Sequence, residues 1–61
     1  MKLTKDNLPE GQFVMTWVYN DEKWAETLKN TKGVLELYNP EYDTFSVTDV
    51  RNYSDLDVTI L

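Results

Sequence analysis

QFVMTWVYNDEKWAETLKN, residues 12–30, holds the two readings between which the fold is decided. Its first part, Gln12–Tyr19, is rich in aromatic and β-branched side chains. Turn formers bound it, Leu8-Pro9-Glu10-Gly11 before and Asn20-Asp21-Glu22 after, so it predicts a strand. Phe13, Met15, Trp17 and Tyr19 fall on one face; Val14, Thr16 and Val18 fall on the other. Both faces are largely apolar, which fits a central strand better than an edge. The second part, Lys23–Asn30, fits two elements. As a helix capped by Asn20 or Asp21, it sets Trp24 and Leu28 together at i,i+4. As a strand, it sets Trp24, Glu26 and Leu28 on one face and Ala25 and Thr27 on the other. A helix of one or two turns is marginal alone. The tight spacing to the preceding strand favours a hairpin.

Outward from this stretch, Asn30-Thr31-Lys32-Gly33 reads as a turn, with glycine where a left-handed residue is often needed. Val34–Tyr38 reads as a strand with Leu35 and Leu37 inward and Glu36 outward. Asn39-Pro40-Glu41-Tyr42-Asp43 is a reverse turn with proline at its second position. Thr44–Thr48 returns as a strand, with Phe45 and Val47 on one face. Asp49–Asp55 is polar and expected to be irregular. Leu56–Leu61 alternates like a strand, with Leu56, Val58 and Ile60 on one side. Residues 1–8 are expected to form a loose N-terminal arm unless Leu3 or Leu8 docks. The predicted fold is all-β, a small meander of four or five antiparallel strands in a bent sheet or partly open barrel. The alternative is α+β, β-α-β-β with one short helix at 21–30. Either way, at least one strand edge is left exposed or paired with another chain.

A chain of 61 residues makes one domain, and one that buries only about 60% of its unfolded surface. Cysteine and histidine are both absent, so no disulfide, thiolate metal site or Cys-His or Ser-His-Asp nucleophile is available. Gly11 and Gly33 are the only glycines, too few and too far apart for a phosphate-cradling loop. Paired carboxylates can do acid–base chemistry, but only in a walled cleft that a sheet this small has little room to build. Glu41/Asp43 and Asp55/Asp57 are i,i+2 oxygen pairs, yet the calcium-loop signature is missing. The sequence therefore predicts no catalytic residue, no metal and no cofactor. Met1–Asp6 turns polar at once, without a signal peptide's apolar run, and no stretch reaches the roughly 18 apolar residues of a membrane span. The expected compartment is the cytoplasm.

Charge is placed unevenly. Residues 1–32 hold five acids and five bases; residues 33–61 hold six acids and one base, Arg51, so the net charge of −5 lies in the second half. Such a chain is repelled by phosphate backbones and anionic lipid and attracted to basic surfaces. Trp17, Trp24, Phe13 and Phe45 are expected in the core, since large side chains supply most of the buried area in so small a domain. Tyr38, Tyr42 and Tyr53 lie beside acids instead. Tyrosine among carboxylates suits an interface with arginine and lysine. The candidate partner-binding residues are Glu41, Tyr42, Asp43, Asp49, Tyr53, Asp55 and Asp57.

A sharper form of this reading is DNA mimicry, in which carboxylates about 6.5–7 Å apart along a strand stand in for phosphates. Duplex DNA roughly 27 Å long carries about 16 charges. A net charge of −5 covers a short patch of one backbone, and a homodimer would cover more. In size and composition, a tiny, acidic, aromatic-rich and cysteine-free chain resembles the small phage-encoded proteins that inhibit a host enzyme or defence system. The resemblance implies a stoichiometric inhibitor acting by occlusion in the host cytoplasm. Its partner would be a larger protein with a basic surface, such as a nucleic-acid-binding enzyme, with no direct contact to nucleic acid or membrane. The competing expectation is a small structural protein that self-associates or docks through a strand edge.

Overall fold

The computed structural model describes all 61 residues. Five strands follow in order: β1 (Gly11–Tyr19), β2 (Glu22–Thr31), β3 (Val34–Asn39), β4 (Thr44–Val47) and β5 (Thr59–Ile60). They form one antiparallel sheet in the order β4-β3-β2-β1-β5, which does not close into a barrel. Residues 22–31 are strand, so the helical alternative at 21–30 is not adopted. The hairpin wins because β2 pairs with β1 along its length, from Gly11↔Asn30 to Tyr19↔Glu22, whereas a helix this short would have stood almost alone.

Two tight turns set the register. Asn20 and Asp21 both have positive φ, 51° and 63°, as do Lys32 and Gly33, 51° and 90°. Two successive left-handed residues make the type I′ turn, whose twist matches that of the flanking strands. Asp21 adopts this conformation at a steric cost that glycine would not incur. Asp21→Gly is therefore expected to raise stability by up to about 1 kcal/mol. An unchanged or lower urea midpoint for that variant would contradict the turn assignment.

The molecule measures 30 × 29 × 19 Å, thin enough for the sheet and a single covering layer. The covered face presents Phe13 and Met15 from β1, Leu28 from β2 and Leu35 from β3, all buried. Leu3, Tyr53 and Val58 close over them, with Leu8, Trp17, Leu37, Val50, Leu56 and Ile60 packed around. The cover comes from the two parts of the chain with the least strand character. The connection from β4 to β5 contains a 3₁₀ helix, Val50–Tyr53, started by Asp49, whose Oδ1 accepts a bond from the Arg51 N–H at 2.8 Å. That turn was not visible in the polar composition of Asp49–Asp55.

The N-terminal arm is not loose. Leu3 is only 1% exposed, and the Met1 carbonyl accepts the Val58 N–H at 2.8 Å. Asn7 Nδ2 donates to the Lys2 carbonyl at 2.8 Å, and Asn7 Oδ1 accepts from the Thr4 N–H at 2.7 Å. These bonds fold the arm into a compact loop that lays Leu3 on the sheet. Asn30 ties the arm's end to the β2–β3 turn. It is buried, its amide donates to the Pro9 carbonyl at 3.1 Å, and its oxygen accepts the Gly33 N–H at 2.9 Å.

The opposite face of the sheet has no covering layer. Val18 and Val47 are exposed there. Phe45, expected in the core, also lies on this face, paired with Tyr38 in register and at 5.2 Å between ring centroids. The Lys29 ammonium sits 4.2 Å from the centre of its ring. No helix of the chain is long and apolar enough to cross a membrane.

Candidate functional site

The meander runs up and down, so its turns divide between two ends. At one end lie the β1–β2 turn, the β3–β4 turn and the segment entering β5; at the other lie the β2–β3 turn and Asp49. The seven residues expected to bind a partner separate accordingly. Glu41, Tyr42 and Asp43 form the β3–β4 tip. Asp55 and Asp57 reach the same end by way of the opposite sheet edge. Strands about 4.8 Å apart put those two groups roughly 15–19 Å from one another. Asp49 is at the far end, and Tyr53 is in the core.

Tyr53 departs most from expectation as an interface residue. It is 7% exposed, because the 3₁₀ turn directs its ring onto the sheet. Its hydroxyl reaches Glu26 Oε2 at 3.4 Å, a long contact. Burial is the main cause that raises its pKa above the usual tyrosine value. Two of the acids are matched internally. Asp49 holds Arg51 through both carboxylate oxygens, 3.1 Å to Nε and 2.9 Å to Nη2. The Arg51 side chain is the first cause that lowers the Asp49 pKa to about 2. Asp57 accepts from the Met1 amino group, which likewise holds its carboxyl below the ordinary range. The Asp55 side chain is exposed, and its backbone carbonyl accepts from Lys2 Nζ at 2.9 Å. Among strand residues only Glu22, Glu26 and Glu36 are acidic, so the carboxylates of the second half are not ranged along a strand. No three carboxylates converge on a point where an ion could be shared.

The β3–β4 tip is different in kind. Asn39 Oδ1 accepts the Glu41 N–H at 3.0 Å, which braces the turn on its first side. Tyr38 OH donates to Asp43 Oδ1 at 2.7 Å, which braces it on the second. That bond is the main reason the Tyr38 hydroxyl loses its proton less readily than usual. Between the braces Tyr42 stands 68% exposed. The chain thus holds an aromatic side chain in water on a turn already ordered from both ends. No family model matches this chain, and no curated protein or solved structure matches it.

A second feature lies beside the tip. Pairing between β2 and β3 stops at Leu28↔Leu37, while β2 continues with β1 up to Glu22. The strands part there and leave a notch of about 460 Å³ between Trp24–Thr27 and Leu37–Pro40. Trp24 is 46% exposed at its wall. It was expected in the core, beside its cross-strand partner Trp17. The hairpin outruns β3, so no neighbouring strand closes over Trp24 on that side. A strand reading of Lys23–Asn30 does place Trp24 and Glu26 on one face. Nothing in it says that β3 turns away.

Proposed function

We propose that this chain is a non-enzymatic protein-binding module, a stoichiometric inhibitor or modulator of a larger protein with a basic surface, acting by occlusion in the cytoplasm. The observation that supports it best is Tyr42, 68% exposed between two acids on a turn braced at both sides. An exposed, pre-ordered aromatic loses little entropy on binding and is a frequent centre of interface energy. Glu41 and Asp43 beside it suit arginine and lysine. Enzymes that bind nucleic acid offer such basic surfaces, and a phage-encoded inhibitor of a host enzyme is the class of protein this reading implies. Any DNA mimicry would be confined to a patch, since Asp49 and Asp57 are matched internally.

A second reading, self-association through a strand edge, has Val47 in its favour, 77% exposed on the edge strand β4. It requires a concentration-dependent mass in analytical ultracentrifugation at micromolar concentrations.

The partner is to be captured from a bacterial lysate, identified by mass spectrometry and titrated against variants. Tyr42→Ala is expected to leave the melting temperature unchanged and to remove about 2 kcal/mol of binding, roughly thirtyfold in Kd. Glu41→Lys should slow association and reduce its salt dependence. A Tyr42→Ala protein that melts several degrees lower yet binds as before would take the tip out of the interface.

A further inference from the structure

We propose that the notch between β2 and β3 receives an extended basic segment of the partner, which adds to the open side of β2 as a short strand. This rests on the reading of the chain as a binder of basic proteins and names the form the bound segment takes.

The backbone decides where it would bind. Both ends of β2 are closed by two-residue turns, so its hydrogen-bonded pairs alternate from each turn inward. Glu22, Trp24, Glu26 and Leu28 turn their backbone groups to β1; Lys29 and Thr31 turn theirs to β3. By the same alternation Lys23 and Ala25 aim theirs at the notch, beyond the last β3 pair. An extended segment laid there finds unpaired donors and acceptors at strand spacing. Strand addition of this kind takes its affinity from main-chain bonds and its specificity from alternate side chains.

The walls decide the chemistry. On one face of an added strand stand Trp24, Glu22 and Glu26, an aromatic ring between two carboxylates on β2. A lysine or arginine placed there meets the ring face and a counter-charge together. Across the notch Pro40 leads into Glu41. On the other face, which is uncovered, Lys23, Ala25 and Thr27 are the neighbours; β-branched residues suit that side by strand propensity, and uncharged ones avoid the Lys23 ammonium. The preferred occupant therefore alternates basic residues with valine or threonine.

The probe is a six-residue peptide of alternating lysine and valine with blocked ends, titrated into the ¹⁵N-labelled protein at millimolar concentration. The expected result is shifts at the Lys23, Ala25 and Thr27 amides and the Trp24 indole, with slowed exchange of the Lys23 and Ala25 N–H groups. Glu22→Lys should weaken the peptide at least tenfold. Ala25→Pro removes a donor that has no partner within the sheet, as edge proline permits, and should abolish binding. A peptide N-methylated along one edge tests the same bonds without altering the protein, should Ala25→Pro not fold. Shifts confined to residues 41–43 would overturn the notch while leaving the tip as the interface. No shifts, or equal binding of a glutamate–valine peptide, would overturn it as well. Protection of Lys23 and Ala25 that grows with protein concentration alone would assign the edge to a second copy instead.

Discussion

Leu3→Ala is expected to remove most of the protein's stability, about 2–5 kcal/mol. A domain of this size rarely has more than about 3–5 kcal/mol in total. Leu3 is 1% exposed and belongs to a core of seven buried hydrophobic residues. It also anchors the loop that brings the Met1 carbonyl to the Val58 N–H, so its loss would loosen the entry to β5. The melting temperature should fall by roughly 10 °C or more, with amide protection at Val58 lost first. If Leu3→Ala melts within a degree or two of the parent, the arm is not part of the core.

Tyr53→Ala should be at least as damaging, about 3–5 kcal/mol by the usual cost of removing a buried aromatic ring. Little folded protein is then expected at room temperature. Tyr53→Phe supplies the contrast. It deletes only the hydroxyl, whose contact to Glu26 is 3.4 Å long, and should change the urea midpoint very little. Burial raises the Tyr53 pKa, so the folded state prefers the protonated phenol. Its contribution is complete below the unfolded value near 10 and is lost as pH rises through the higher folded value. Ultraviolet titration should therefore show late-ionising tyrosine in the parent relative to urea, from Tyr53 and from the Asp43-bonded Tyr38, and Tyr53→Phe should remove only the Tyr53 share of that signal. Loss of partner binding by a stably folded Tyr53→Phe would return this residue to the interface.

How far the fold was legible in the sequence varies element by element. The alternation in Gln12–Tyr19 identifies β1 and its two faces, and Phe13 and Met15 are buried as that pattern requires. The positive-φ demands of Asn20-Asp21 and Lys32-Gly33 appear as turn-forming residues at strand ends. Leu35 and Leu37 point to the core and Glu36 away from it, as their alternation requires. Phe45 shows where this kind of legibility ends. Period two says that Phe45 and Val47 share a face; it does not say whether anything covers that face. The register through the 40–43 turn pairs Phe45 with Tyr38, and both rings lie on the uncovered side.

The candidate site was less legible, because it depends on contacts between distant parts of the chain. The acidic, tyrosine-bearing character of residues 37–58 is plain in the sequence. Its members nevertheless went to different places. Tyr53 was drawn into the core by a 3₁₀ turn that one Asp49–Arg51 pair helps to start. Asp57 was matched by the amino group of Met1, at the other end of the sequence. Tyr42 stayed in solvent because local bonds brace its turn from both sides. The notch at Trp24 arises only because β3 ends its pairing with β2 before β1 does.

By itself the sequence determined the strand at Gln12–Tyr19, the turns on either side of it and the sign of the net charge, and it favoured an all-β meander while leaving a helix at 21–30 open. Those properties rest on interactions between residues a few positions apart: side-chain alternation, turn geometry and composition. Only the tertiary structure decided which face of the sheet is covered, which acids remain unmatched and where a strand edge stays open. The open edge depends on where β3 parts from β2; the other two depend on where Met1–Leu8 and Asp49–Val58 come to rest on the sheet. Burial of Leu3, Tyr53 and Val58 sets those positions through apolar contacts between segments far apart in the chain, and no local pattern encodes which hydrophobic residue meets which.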